Sequence, residues 1–184
     1  MLATCDALQQ SGPSSLDFQP FSAIETTLKP DSYNTKAQQL LTKVMISTGA
    51  GSHYASKTEV IDLEDSNVKC EDLQDFPMKI NGAVGANLAS TPIICGGSTG
   101  SYHSSDICFK YMEGGWQQFA TMIERRTWAA GIVYGNALHI FGGYDQDTNT
   151  RLQSSENVKE DGNSTEGPQL PTPIYLHALT SINS

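Results

Sequence analysis

The residue types that catalyse reactions or bind metal ions are scattered along this chain. No Cys-x-x-Cys or His-x-x-x-His spacing occurs, and the histidines stand far apart in the sequence, at His53, His103, His139 and His177. Zinc sites and metal-assisted hydrolases need such close spacings, because they bring the ligands to one side of an element. The sequence therefore predicts a non-enzymatic protein that uses no metal and no cofactor.

A short apolar run that ends in glycine recurs along the chain. Residues 138–144 read Leu-His-Ile-Phe-Gly-Gly-Tyr, residues 92–98 read Pro-Ile-Ile-Cys-Gly-Gly-Ser, and residues 44–50 keep one glycine of the pair. The stretch 70–97 aligns without a gap on the stretch 116–143. A period in the upper forties indicates an array of repeats.

Each period carries the turn signals of four short strands. A Gly-Asn pair at positions 135–136 separates the apolar segments 129–134 and 137–141. Both residue types tolerate positive φ, so the pair predicts a two-residue hairpin. In the middle copy we expect a third strand at residues 106–111 and a fourth from Trp116. Four short antiparallel strands make one blade of a propeller.

The repeat resembles the kelch motif. The apolar run and Gly-Gly are followed by a variable loop, a strand, a tryptophan at Trp116, then Arg125 and finally Trp128-Ala129, or His177-Ala178 in the last copy. The resemblance covers about residues 43–184. It implies an all-β fold, a partial kelch-type β-propeller of about three four-stranded antiparallel blades. A Gly-rich β-sandwich is the alternative fold, although sandwiches need no long period.

The repeats divide the chain into a leader and three blades. The predicted blades span about residues 43–90, 91–136 and 137–184, and residues 173–184 are expected to form the first strand of a following blade. Residues 1–42 contain no repeat and form a leader of uncertain structure, either a partial blade or a poorly ordered segment. Because propellers close into rings, we expect this chain to be part of a ring and, when isolated, to self-associate.

Two of the cysteines change together within one repeat. The comparison takes Ser47, Cys95 and Phe141 as one repeat position, and Ile61, Cys108 and Val158 as another. Opposed side chains on neighbouring antiparallel strands come within about 4.5–5.5 Å, which allows a disulfide between Cys95 and Cys108. A bond from Cys70 to either of them and two buried free thiols remain as alternatives.

The resemblance also indicates which residues would meet a partner. In kelch propellers the loop before the first strand of a blade helps to line the central binding face, and Arg125 and Arg126 stand there. Tyr144 directly follows a Gly-Gly pair, and Tyr102 lies at the tip of the equivalent loop in the middle repeat. We expect these four residues to bind an acidic or polar peptide segment. A salt bridge or stacking contact at the blade boundary is the alternative role for Arg125.

Charge and processing signals narrow the partner and the compartment. The chain carries a net charge of −9 and its basic residues are not clustered, which argues against nucleic acid and anionic membranes as partners. No apolar run reaches the length of a membrane helix. The predicted disulfide and the glycosylation acceptor Asn163-Ser164-Thr165 point to an extracellular or secreted protein, with the cytoplasm as the alternative.

These observations favour a non-enzymatic propeller that recognises a protein partner through its loops. One alternative is the substrate-recognition propeller of a cullin-type ubiquitin ligase adaptor, which needs a helical BTB-type domain that residues 1–42 do not supply. Another is a galactose-oxidase-like copper enzyme, whose tyrosine and histidine ligands cannot be matched to residues of this sequence.

Overall fold

The computed structural model describes residues 43–49, 55–63, 70–99 and 101–182. Within these ranges all regular secondary structure is β-strand, so the prediction of an all-β chain is confirmed for this part of the protein. The leader at residues 1–42 lies outside the described residues. The same holds for residues 64–69, where the expected third strand of the first blade begins.

Strands of two to eight residues follow one another along the described ranges. In chain order they are β1 (Lys43–Gly49), β2 (Ala55–Asp62), β3 (Cys70–Asp72), β4 (Ile80–Asn81), β5 (Val84–Leu88), β6 (Thr91–Cys95), β7 (Ser98–Thr99), β8 (Ile107–Met112), β9 (Gly115–Thr121), β10 (Ala130–Tyr134), β11 (Ala137–Phe141), β12 (Tyr144–Asp145), β13 (Thr150–Arg151), β14 (Ser155–Lys159) and β15 (Ser164–Glu166).

These strands form three successive antiparallel sheets. Sheet 1 has the order β1-β2-β3, sheet 2 the order β5-β6-β8-β9, and sheet 3 the order β10-β11-β14-β15. Two short ladders, β4 with β7 and β12 with β13, flank the larger sheets. Sheets 2 and 3 therefore repeat one four-stranded pattern.

The sheets divide the chain at different points from the sequence period. Sheet 2 begins at Val84 and sheet 3 at Ala130, whereas the predicted blades begin at residues 91 and 137. The reason is the tight hairpin between the first two strands, which pairs Leu88 with Thr91 in sheet 2. The apolar run is thus the second strand of its sheet, and β5 belongs to sheet 2 rather than to sheet 1.

The C-terminal segment differs from the expectation. Residues 173–182 form no strand within the described part of the chain, so the prediction of a first strand here is wrong. In sheets 2 and 3 the first strand pairs with the apolar run of its own sheet, whereas residues 173–182 pair with no strand among the described residues. The segment instead bonds to loop residues next to sheet 3, where Ile174 N donates to Leu152 O at 3.1 Å and Leu176 N to Trp128 O at 2.9 Å.

Sheet 2 is packed on both of its faces. The face toward sheet 3 contributes Leu88, Ile93 and Cys95 to a core that includes Leu138 and Ile140. The residues of this core are all buried, and each fully buried Leu or Ile side chain contributes about 1.5–3 kcal/mol. The alternation of strand side chains between faces accounts for this two-sided packing.

The opposite face of sheet 2 packs toward sheet 1. Ile94 and Phe109 lie against Phe76 in a second core, with the rings of Phe76 and Phe109 edge to face at 5.0 Å. Trp116 packs at the border of this core and donates its indole N–H to Thr58 Oγ1 of sheet 1 at 2.9 Å. The tryptophan of the repeat is thus a packing residue that links neighbouring sheets.

A polar or covalent link at equivalent positions joins β1 to β2 in sheet 1 and β6 to β8 in sheet 2. Cys95 and Cys108 are paired across the ladder and joined by a disulfide. In sheet 1 the matching pair is Ser47 and Thr58, whose hydroxyl oxygens lie 2.8 Å apart.

The positions opposite these residues differ from those expected by sequence. The ladders place Thr58, Cys108 and Ser155 at one position, opposite Ser47, Cys95 and Phe141. The assignment of Ile61 and Val158 to that position is therefore wrong, because the loops after the glycines differ in length. The link spans 11 residues in sheet 1 and 13 in sheet 2.

Candidate functional site

The paired glycines turn the chain at the end of the second strand in sheets 2 and 3. Gly96 and Gly97 have φ of 71° and 98°, and Gly142 and Gly143 have φ of 58° and 104°. A Cβ on Gly142 would stand 2.4 Å from Ile174 O, and one on Gly96 would stand 2.5 Å from Arg126 O. Both the left-handed conformation and the close backbone approach therefore require glycine.

The loops that follow these glycines bond to each other. Ser98 Oγ donates to Gln146 Oε1 at 2.6 Å, and Gln146 N donates to Ser104 Oγ at 2.9 Å. Ser104 Oγ also donates to Tyr144 O at 3.2 Å. The loop after sheet 2's glycines and the loop after sheet 3's glycines thus form one connected surface, which we call the loop surface and define by Tyr102, His103, Arg125, Tyr144 and Asp147.

Charged groups from three segments meet on the loop surface. His103 Nδ1 lies 2.5 Å from Asp147 Oδ1, and Arg125 Nη1 lies 3.6 Å from the same oxygen. Ser104 N donates to Asp147 Oδ2 at 3.0 Å. Arg125 Nε lies 3.8 Å from Asp106 Oδ2, so this arginine faces two carboxylates.

The surroundings of Asp147 favour its ionised form. The hydrogen bond from His103 is the main cause that lowers the pKa of this carboxyl, with smaller contributions from the Ser104 N–H and from the charges of His103 and Arg125. Partial desolvation opposes them. Hydrogen bonds to the charged form outweigh desolvation at this position, so Asp147 is a carboxylate at neutral pH.

Tyr102 is the most exposed aromatic residue of the loop surface. Its side chain lies at the loop tip with φ of 59°, and the residue is 74% exposed. Arg125 is also open, with 52% of its side chain exposed. The structure therefore places both residues where a partner can reach them.

Tyr144 lies in a half-buried aromatic cluster instead of projecting freely. Its ring stacks on Trp128 with centroids 5.8 Å apart, and Tyr175 lies 5.6 Å away. The Tyr144 hydroxyl hydrogen-bonds to Asn149 Oδ1, and the Arg151 guanidinium lies 5.4 Å from the Tyr175 ring centroid. These contacts fix the tyrosine at the border of the loop surface.

Arg126 does not belong to the exposed surface. The residue is only 2% exposed, and its guanidinium donates to Gly142 O at 2.7 Å and pairs with Glu156 at 2.7 Å. Glu124 lies 3.2 Å away and also accepts a hydrogen bond from the Ser154 hydroxyl. The expectation that Arg126 binds a partner is corrected by this burial, because every one of these contacts is within the chain.

Backbone hydrogen bonds show that Arg126 lies at a repeat position that isoleucine occupies in the preceding and the following repeat. Gly97 N donates to Arg126 O, and Gly143 N donates to Ile174 O in the same way. Leu176 N donates to Trp128 O and Trp128 N donates to Gly82 O, so these three residues occupy one repeat position. Ile80 precedes Gly82 by two residues, as Arg126 precedes Trp128, and is therefore the third equivalent. Ile174 is therefore matched to Arg126, and Leu176 rather than His177 is matched to Trp128.

The remaining singled-out residues lie outside the loop surface. Asn163 is exposed in the turn before β15, where its side chain donates to Asp161 Oδ2 at 2.8 Å. Residues 96–100 match the pattern Gly-x-Ser-x-Gly, which sequence reasoning missed. Ser98 is 1% exposed and bonded to Gln146, and it lies in the short strand β7 instead of at a strand-to-helix turn. The pattern therefore does not form a hydrolase elbow here.

The described ranges contain neither a cluster of metal-binding side chains nor a membrane-spanning helix. No group of three or more His, Cys, Asp or Glu side chains in those ranges is arranged to hold a metal ion. Nor does any helix there have the length and apolar character needed to span a membrane.

Comparison with known proteins identifies a similar fold. No protein-family model and no curated protein matches the chain. The solved structure of YjhT is similar to it, with a TM-score of 0.59 and 15% sequence identity. The match covers 69% of this chain and 43% of the YjhT chain, so this chain spans less than half of that structure. At this level of identity the likeness is one of fold.

Proposed function

We propose that sheets 2 and 3 are blades of a kelch-type β-propeller, and that the chain binds a protein partner through the loop surface without catalysing a reaction. The observation that carries this proposal is the hydrogen bonding between the two glycine-led loops, through Ser98, Ser104 and Gln146. Loops held together on a rigid scaffold are where recognition usually occurs.

The composition of the loop surface supports a protein ligand. Tyrosine, tryptophan and arginine are the residue types that contribute most at protein interfaces, and here Tyr102 and Arg125 are exposed beside the cluster of Tyr144 and Trp128. Rigid aromatic rings lose little conformational entropy on binding. The described ranges offer no group of metal ligands in place of this arrangement.

An extracellular setting is part of the same proposal. The Cys95–Cys108 disulfide is of a kind that persists in oxidising compartments. The exposed turn at Asn163 would accept a glycan there, because the residue is open to solvent and its side chain hydrogen-bonds to the neighbouring Asp161. Treatment of secreted material with a glycosidase, followed by mass measurement of the peptide that contains Asn163, tests this part.

A pair of equally exposed tyrosines provides the test of the binding surface. Tyr102 lies on the loop surface and Tyr134 lies at the other end of sheet 3, and each is 74% exposed. A photo-crosslinking phenylalanine analogue is placed at one position or the other, and the protein is irradiated in its native setting. We expect discrete protein adducts from position 102, which Arg125→Glu diminishes, and few from position 134. Equal adducts from both positions would contradict the proposal.

A further inference from the structure

The carboxylate of Asp147 lies in a site that has the composition of an anion-binding site. Its two oxygens contact a histidine ring nitrogen, a backbone N–H and a guanidinium, from His103, Ser104 and Arg125. Hydrogen bonds from Arg, His and backbone N–H groups to a carboxylate are the strong, charge-assisted kind. The ligand class that fits the site is therefore a carboxylate, because the carboxylate of Asp147 occupies it.

Asp147 can leave this site without unfolding the loop that carries it. The loop is anchored by its neighbour Gln146, which bonds to Ser98 and Ser104. The backbone of Asp147 is held separately, through its N–H to Asp145 Oδ1 at 3.0 Å. Rotation of the Asp147 side chain alone is enough to vacate the contacts, and such rotations in exposed residues take picoseconds to nanoseconds.

The groups left behind are open to solvent. The side chains of His103 and Arg125 are 62% and 52% exposed, and that of Asp147 is 22% exposed. Tyr102, the adjacent residue to His103, is 74% exposed. A ligand that enters can therefore contact the two basic side chains and the tyrosine together.

We propose that Asp147 is an internal competitor, and that a carboxylate side chain of an acidic partner segment displaces it from His103, the Ser104 N–H and Arg125. This inference rests on the proposed function and names the regulation of the same surface. The partner segment carries several Asp or Glu residues, because a single free carboxylate competes poorly with one that is tethered at high effective concentration.

The local charge balance explains how Asp147 sets the affinity. While the Asp147 carboxylate is in place, Arg125 faces two acidic groups, Asp106 and Asp147. Once Asp147 has turned away, only Asp106 remains opposite Arg125 among the ion pairs of the described residues. When only a fraction of the molecules have the site open, the apparent affinity for the partner is reduced by that fraction. Removal of the Asp147 carboxylate therefore raises the apparent affinity.

The experiment measures binding of a fluorescein-labelled hexaglutamate peptide to the 184-residue chain by fluorescence anisotropy at low ionic strength. Asp147→Asn keeps an acceptor for the Ser104 N–H and removes the competing charge. We expect it to bind the peptide at least about tenfold more tightly than the wild type, the order of one charge-assisted hydrogen bond. Asp147→Ser serves as a second variant with the same expectation.

The matched control is Asp145→Asn. It removes one negative charge from the same loop, but its carboxylate contacts Thr148 and the Asp147 N–H rather than Arg125. We expect a gain well below that of Asp147→Asn, and we expect Arg125→Gln to abolish the gain when combined with Asp147→Asn. An equal gain from Asp145→Asn, or none from Asp147→Asn, would overturn the inference.

Inorganic phosphate separates the two sources of an anionic group. If phosphate displaces the peptide from Asp147→Asn at far lower concentration than acetate does, the site selects phosphate and the carboxylate assignment is wrong. Crosslinking from position 102 that persists while Asp147→Asn leaves peptide binding unchanged would refute the internal competitor alone. Absence of that crosslinking would instead refute the proposed function.

Discussion

Arg126 Nη2 lies 2.7 Å from Glu156 Oε1, and each of the two side chains is only 1% exposed. This buried ion pair lies between sheets 2 and 3. The equivalent place between sheets 1 and 2 holds apolar side chains. Glu156 pairs with Ile140 as Phe109 pairs with Ile94, and Arg126 is equivalent to Ile80. The pair thus stands where the preceding boundary has Ile80 and Phe109, two members of one apolar core.

The first prediction is that Arg126→Ala destabilises the fold. It leaves the Glu156 carboxylate buried without its cation, and breaking a buried pair in this way costs about 3–5 kcal/mol. Urea unfolding followed by tryptophan fluorescence measures the loss. Arg125→Ala is the control: its ion pairs are exposed, and exposed pairs contribute about 0–1 kcal/mol. Equal losses from both variants would contradict the assignment of Arg126 as a structural residue.

The second prediction concerns removal of both partners. Arg126→Ile with Glu156→Phe installs the apolar pair found at the preceding boundary, and a buried ion pair replaced by packed apolar groups is often neutral. We expect the double variant to recover part of the stability that Arg126→Ala loses. Glu156 also accepts a hydrogen bond from Ile123 N at 2.7 Å, so the recovery is expected to be incomplete by about 1–3 kcal/mol, the desolvation cost of one unpaired N–H.

Arg126 also shows how far the sequence predicts the site. The apolar run, the glycine pair and the two-residue hairpin predict the strands of sheets 2 and 3, because each rests on local backbone preferences. Burial of an arginine rests on Glu156, about thirty residues away, and adjacent Arg125 has the same residue type. The signal that could have distinguished them is the isoleucine at the equivalent positions Ile80 and Ile174, which the match of Trp128 to His177 in the last repeat obscures by one residue.

The residues that face each other across neighbouring strands are also only partly predictable from the sequence. The sequence places Cys95 and Cys108 on the correct neighbouring strands. The repeat comparison nevertheless matches Cys108 to Ile61 and Val158 instead of Thr58 and Ser155. Repeat comparison assumes equal loop lengths, and the loops after the glycines are the segments whose length varies. Strand register across such loops is set by burial of one face together with the geometry of the loop, so it does not follow from matching the repeats at equal spacing.

The third prediction is that the hairpin of sheet 2 can be stabilised. Ala89 and Ser90 have φ of 48° and 64°, the left-handed conformation that costs ordinary residues about 1–2 kcal/mol each. Ala89→Asn with Ser90→Gly supplies the residues preferred in such a turn, and we expect a gain of about 1–2 kcal/mol in urea unfolding.

The hairpin of sheet 3 provides the reverse test. Gly135 has φ of 61° and no atom lies within 4 Å of a Cβ placed there, so only backbone strain opposes a side chain. We expect Gly135→Ala to destabilise the protein by about 1–2 kcal/mol. A loss of stability in the Asn-Gly variant of sheet 2, or no loss in Gly135→Ala, would show that these turns do not keep the left-handed conformation.

The fourth prediction concerns the disulfide. Cys95→Ser with Cys108→Thr copies the hydroxyl pair of Ser47 and Thr58 in sheet 1. Closure of a loop of about 15 residues by a disulfide contributes about 3 kcal/mol, so we expect a loss of that order in urea unfolding of the variant. Non-reducing peptide mapping of thiol-blocked material from an oxidising compartment checks the bond itself. Recovery of both cysteines as free thiols would contradict it.

The last prediction is a loss of stability on acidification that originates at His177. Its ring packs near Gly142, both ring nitrogens lack a hydrogen-bond partner in the described residues, and desolvation lowers the pKa of His177 below the usual 6.5. The unfolded chain therefore binds a proton at this residue at a higher pH than the folded chain does. Stability is fully present above about pH 6.5 and falls as the pH drops from there toward the folded pKa. We expect the urea midpoint of the wild type to decrease between pH 7.5 and 5.5, and His177→Gln to reduce that slope because glutamine does not titrate. His139→Gln removes a histidine of sheet 3 and serves as the matched control. If His139→Gln flattens the profile while His177→Gln leaves it unchanged, the desolvated ring of His177 is not the source of the pH dependence.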